Sequence, residues 1–276
     1  MEKTKVVFFG NDQYSEIVLN ALKNDENFKL VNSLADRPIV GVLASYGKII
    51  SQETIDDIPL GILNLHPSLL PKYRGPSPVQ TAIINGEKET GITIMKMDAQ
   101  IDHGPIVAQI KEKIRSDDTS QSLYNRLFSI GAGQLLEILP EYLADSISLV
   151  GQNHSQATFT KKLQRDSGFI PIDIISIVIK SGIYKVDKYT LYADLFMTEF
   201  NPITPEIIEQ AIRAFTPWPG IWTEIKIDEK NKRLKILKSH LEKDKLIIDE
   251  IQLEGKNPVS FRQFVEGYPE IVKEYF

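Results

Sequence analysis

Apolar and polar positions alternate between two periods along the first half of the chain. Lys5-Val6-Val7-Phe8-Phe9-Gly10-Asn11 is a continuous apolar run ending in a glycine turn, the pattern of a strand buried on both faces of a parallel sheet. After it, Ile17, Val18, Ala21 and Leu22 recur at helical spacing, and Ser15 is the expected cap of that helix. Two more strand-like runs follow, Phe28 to Leu34 and Ile39 to Leu43. Only Ala35 to Pro38 separates them, whereas a parallel crossover takes roughly a dozen residues. Either these runs are not neighbouring parallel strands, or a loop-and-helix segment is missing.

Further strands are expected at Gly61 to Leu65, Gly91 to Met97 and Ile106 to Ile114. Helices are expected from Val79 to Ile84 and from Asp117-Asp118-Thr119 to about Leu139. Residues 1–150 thus read as one α/β domain. Gly151 to Gly168 is polar and without sustained period, the expectation for a linker. Residues 169–276 read as a second domain with a helix over Pro205 to Phe215 and strands at Trp222 to Ile227, Leu234 to Leu237 and Leu246 to Leu253, consistent with a small β-barrel.

Composition narrows the function classes. The 276 residues hold 42% hydrophobic and 25% charged positions, ordinary for a globular protein, and a length that suits two domains. Absence of cysteine excludes disulfides, thiolate metal sites and a cysteine nucleophile. The first apolar run is too short for a signal peptide, and no stretch reaches membrane-spanning length, so a cytoplasmic protein without membrane contact is expected. A net charge of −5 argues against a uniformly basic coat. A local cluster remains, with Lys226, Lys230, Lys232, Arg233, Lys235 and Lys238 interleaved by Asp228 and Glu229; it reads either as a phosphate-binding face or as a solvated hairpin. No His, Asp and Glu stand at ligand spacing, so no metal is expected; His103, His154 and His240 read as bystanders.

The densest chemistry lies in Asn64-Leu65-His66-Pro67-Ser68-Leu69-Leu70-Pro71-Lys72-Tyr73-Arg74-Gly75. Strand alternation points Asn64 and His66 to one side and Leu63 and Leu65 to the other. An amide donor and an imidazole thereby meet at the C-terminal end of a strand, where open α/β sheets bind ligands. Further on, Asp102-His103-Gly104 offers a carboxylate in a tight loop. Each residue alone has a structural reading: a strand-end Asn as a hydrogen-bonder, an Asp before glycine as a turn residue. Together they suit acyl transfer to an amine. Asn64 and His66 would stabilise the charge that develops on a carbonyl oxygen, and Asp102 would hold His66 and help move the proton.

The ordered set Asn64 to Pro71, Arg74-Gly75, Glu89 to Met95 and Asp102-His103-Gly104 resembles the signature of the folate-dependent formyltransferases. The resemblance implies a Rossmann-like formyltransferase domain, here abbreviated, followed by a small OB-like β-barrel. It implies 10-formyltetrahydrofolate as co-substrate, Asn64, His66 and Asp102 as catalytic residues, and Ser68, Leu69, Leu70 and Pro71 as the loop lying against the folate, with the Tyr46 to Lys48 turn lining the same cleft. Gln210 to Trp222 is similar to the start of the C-terminal domain of the members that act on methionyl-tRNA, which implies initiator methionyl-tRNA as acceptor and protein biosynthesis as the setting; a monomer is the default. The alternative is formylation of a nucleotide-linked amino sugar, and a non-enzymatic alternative is a folate- or RNA-binding protein. Two departures stand out. The basic insertion that follows the second strand in tRNA-acting members is absent after Asp36-Arg37-Pro38, and Ile172 to Asn201 resembles an insertion.

Overall fold

In the computed structural model, which describes residues 3–185 and 202–276, the chain divides into two compact units. The first comprises residues up to Val79, Lys88–Arg115 and Ser122–Lys161; the second comprises Gln80–Glu87, Ser116–Gln121 and Lys162–Phe276. In chain order the elements are β1 (Thr4–Phe9), α1 (Gln13–Asn24), β2 (Phe28–Val31), β3 (Val40–Ala44), α2 (Gln52–Asp56), β4 (Ile62–His66), α3 (Pro78–Ile84), β5 (Glu89–Lys96), β6 (Ile106–Lys113), α4 (Ser120–Leu143), α5 (Ile172–Ser181), α6 (Pro205–Ala214), β7 (Ile221–Ile227), β8 (Lys230–Glu242), β9 (Lys245–Leu253), β10 (Val259–Ser260), α7 (Phe261–Gly267) and α8 (Pro269–Tyr275).

The first unit is an α/β layer around a six-stranded sheet of order β2-β1-β3-β4-β5-β6. The first four strands are parallel, β5 runs antiparallel to β4, and β6 turns back antiparallel to β5, in the direction of the first four. Its core is the aliphatic set foreshadowed by the apolar runs: Val6, Val18, Leu22, Val40, Val42, Ile62, Leu63, Leu65, Ile92 and Ile94.

The short gap between the second and third strand runs is resolved by stagger. β2 and β3 are not neighbours, because β1 lies between them. Val31 ends β2 level with Val7, and Val40 starts β3 level with Val6. The chain therefore returns by one residue along the sheet and shifts sideways by two strand spacings, about 10 Å. Asn32 to Ile39 cover that through a single 3-10 turn, Leu34–Asp36, whose carbonyl at Asp36 accepts from Lys5 Nζ on β1.

Two boundaries differ from expectation. Asp12, not Ser15, caps α1: its carboxylate accepts from the Tyr14 and Ser15 amides, while the Ser15 hydroxyl bonds back to the Asp12 backbone. Helix α4 runs past Pro140 to Leu143, since Leu139 and Tyr142 are buried and Tyr142 Oη donates to Leu60 O at 2.7 Å. That packing outweighs the bond a proline removes.

The second unit holds an antiparallel sheet of order β10-β9-β8-β7, the form taken by the expected β-barrel among the described residues. Helix α6 lays Ile208, Ala211 and Ile212 against β8 and β9, and α5 packs Ile174, Ile175 and Val178 against β7 and β9. The stretch Ile172 to Asn201 therefore begins with a core helix; its residues 186–201 lie outside the described residues. Among the described residues no helix is long and apolar enough to cross a membrane.

Candidate active site

Strand β4 sits between parallel β3 and antiparallel β5 and ends at His66. Leu65 faces helix α4, meeting the space above Gly131 together with Ile92. By alternation Asn64 and His66 face the opposite side, as expected, and both are buried. The register between β5 and β6 slips after Ile94, so Val107 bulges at the mouth of the 97–105 loop that carries Asp102. Bulges of this kind re-aim the chain beside functional sites.

That loop delivers its carboxylate to the strand end. Asn64 Nδ2 donates to Asp102 Oδ1 at 3.1 Å, and His66 Nδ1 stands 3.5 Å from Asp102 Oδ2. The Gly75 amide donates to the same Oδ2 at 2.7 Å. His66 Nε2 lies 2.9 Å from Tyr73 O, a group that can only accept, so Nε2 carries a hydrogen and Nδ1 is the nitrogen turned toward the carboxylate. The amide, the imidazole and the carboxylate thus meet in one place.

Asp102 adopts a left-handed backbone, with φ of 47°, and the turn closes tightly behind it: a Cβ on Gly104 would lie 1.9 Å from Lys96 O. Residues invisible to motif reading support the turn. Buried Gln152 donates from Nε2 to Asp102 O at 2.9 Å and to Gly104 O at 2.8 Å, and its Oε1 accepts from Arg74 Nη2 at 2.6 Å and Nε at 3.2 Å. Arg74 Nη2 also reaches His154 Nδ1 at 2.8 Å, and the His154 ring stacks on His103 with centroids 3.9 Å apart. Loss of hydration, then the electrostatic influence of His103 and Arg74, holds the His154 pKa below the usual histidine value, against the pull of Asp98. His103 itself bonds Asp98.

The loop expected to line a folate is held from beneath. Ser68 is fully buried; its hydroxyl donates to Lys72 O, and Thr93 Oγ1 donates to Ser68 O. Leu70 is buried as well, its amide on Thr93 Oγ1 and its carbonyl on Gln109. Leu69 and Pro71 keep partly exposed apolar surface, and Leu69 can lie on β5 because Gly91 has no Cβ, which would fall 2.4 Å from it. Tyr46 meets Phe9 edge-on at 5.8 Å, with Lys48 over its ring. Among the described residues no group of three or more His, Asp and Glu is arranged for a metal ion.

Gln152, His154 and Thr158 to Thr160, from the stretch that reads as a linker, bond Arg74 and the Asp102 turn. Arg74 pairs with Phe159 through a parallel bridge: Arg74 N donates to Thr158 O at 2.8 Å and Thr160 N to Arg74 O at 2.7 Å. In the second unit the basic residues fall on β7 and β8, where Arg233 lies 4.4 Å over the Trp222 ring and Glu224 pairs opposite it. Trp222 is buried, whereas Trp218 is 53% exposed.

The profile of the Formyl transferase family matches residues 5–139, and that of its C-terminal domain matches residues 204–246. A protein called methionyl-tRNA formyltransferase in Koribacter versatilis is 34% identical over 265 residues, covering 90% of this chain and 75% of its own length. One of the same name in Roseiflexus castenholzii is 42% identical over 194 residues, 70% of this chain and 53% of its own. The chain thus spans about half the length of several curated relatives it matches. The solved methionyl-tRNA formyltransferase from Clostridium thermocellum superimposes with a TM-score of 0.63 over 91% of this chain and 98% of that one, at 18% identity, a likeness of fold.

Proposed function

The chain belongs to the formyl transferase family, and from that premise we propose that it transfers a formyl group from 10-formyltetrahydrofolate to the amino group of methionyl-tRNA. The observation that carries this reading is the convergence of Asn64, His66 and Asp102 at the end of β4. The names of the relatives support methionyl-tRNA as acceptor. A cytoplasmic setting in translation initiation follows from that acceptor.

When bound, the folate supplies a formyl carbon on nitrogen, open to attack by an amine. Asn64 commits one Nδ2 hydrogen to Asp102 and keeps the second for the formyl oxygen, whose negative charge grows during attack. His66 is fixed by its Nε2–H bond to Tyr73 O, so Nδ1 is the atom presented to the reacting group. At 3.5 Å the contact from Nδ1 to the carboxylate is longer than a made hydrogen bond and leaves that nitrogen available. His66 and Asp102 together take the proton the amine loses and can return one to the departing nitrogen, which balances the transfer. Leu69, Leu70 and Pro71 supply the apolar edge for the folate; Ser68 contributes by holding that loop, because its hydroxyl is already bonded.

The test is transfer of labelled formyl to methionyl-tRNA by the purified chain. Asn64→Ala, His66→Ala and Asp102→Ala are each expected to lower kcat/KM by about 100-fold or more with an unchanged circular dichroism spectrum. Near-parental turnover in any variant removes that residue from the mechanism. Transfer to a nucleotide-linked amino sugar but not to methionyl-tRNA would overturn the acceptor.

A further inference from the structure

We propose that Gln152 is a positioning residue for the reaction: its carboxamide braces the Asp102 turn, so that the carboxylate is held toward Asn64 and His66. The inference rests on the role given to Asp102 above. All the hydrogen-bonding capacity of the Gln152 side chain is used in one orientation. Its two Nε2 hydrogens go to the carbonyls of Asp102 and Gly104, at 2.9 and 2.8 Å, and Oε1 takes both Nη2 and Nε of Arg74. A flipped amide would set oxygen against two carbonyls and nitrogen against two guanidinium donors, so the network itself fixes which end faces Asp102.

The brace has something to restrain. Asp102 is a non-glycine residue with φ of 47°, a conformation that L-residues hold only when their surroundings enforce it. The carboxylate is otherwise tied by Asn64 and the Gly75 amide, and these two bonds hold the side chain and leave the backbone of the turn free. Gln152 supplies the backbone restraint on both sides of His103. Arg74, 3% exposed, lies beneath it and is anchored in turn by the Thr158 to Thr160 bridge.

Gln152→Met keeps length and neutrality and removes every bond. It is expected to lower kcat about 10- to 100-fold with KM for both substrates within about threefold, the scale on which loss of a supporting hydrogen bond or a misplacement near 1 Å acts. Added to Asp102→Asn, the same change should alter kcat less than about twofold, since a brace has nothing to act on once the carboxylate is gone. Losses that multiply across the two sites would overturn the proposal. Gln152→Glu is the second variant, for the case where the first does not fold. It retains the Arg74 partner and sets oxygen against both carbonyls, so a folded protein of lower thermal stability with a reduced kcat is expected; parental kcat overturns the proposal. One readout does not depend on turnover. The ring-nitrogen shifts of His66, with Asp249-bonded His240 as reference, should move in Gln152→Met. A stationary His66 signal overturns the brace, whereas a moved signal in a chain that formylates no methionyl-tRNA sinks the acceptor reading and leaves the brace standing.

Discussion

At Gly104 the turn behind Asp102 has no room for a single methyl group: the added carbon would meet Lys96 O at 1.9 Å. Gly104→Ala must open the turn, and the expected outcome is a stability loss of about 1–3 kcal/mol by chemical denaturation, with kcat falling further than that loss alone explains. Parental kcat would show that the turn gives way without moving the carboxylate. The residues of the trio could be read from sequence because alternation sets Asn64 and His66 on one side of a strand and glycine marks the Asp102 turn. Their supports could not. Tyr73 contributes only a carbonyl, Gln152 lies 50 residues beyond Asp102, and a glutamine in a polar stretch has the same local signal whether it is solvated or sealed under a turn.

Elements show a similar split between local and long-range causes. The strands of the first unit were legible as apolar runs, and so was helix α6 from its period. The passage from β2 to β3 was not, because its brevity follows from the register each strand takes on β1, a pairing that the hydrophobic pattern does not encode. Ser15 carries the sequence signal of a cap because it belongs to one: it is the third helical residue of a capping box whose first member is Asp12. The Asp12 carboxylate also accepts from the Ser45 hydroxyl after β3, so it joins a helix start to the neighbouring loop. Asp12→Ala is expected to destabilise the protein by about 1–2 kcal/mol in urea titration, and Asp12→Asn by less. Equal stability of all three proteins would remove the cap from the account.

At the scale of the molecule, the network around Arg74 explains why the first compact unit runs through Lys161, into the stretch that reads as a linker. One group reports on the integrity of that unit in alkali. Burial, and secondarily the charge of Asp145, pushes the Tyr142 phenol up from 10.0 to about 12. A raised folded value means that its contribution is fully present below pH 10 and fades as pH climbs through 12. Ultraviolet titration should show a late tyrosine ionisation that Tyr142→Phe lacks; its presence in the variant would assign it elsewhere. The bridge from Arg74 to Phe159 has a further consequence, for the order of synthesis. The proposed trio is complete in the chain once residue 102 has been added, but the segment that pairs with Arg74, Thr158 to Thr160, is translated later. A nascent chain therefore holds all three of those side chains before it contains the backbone partner of Arg74.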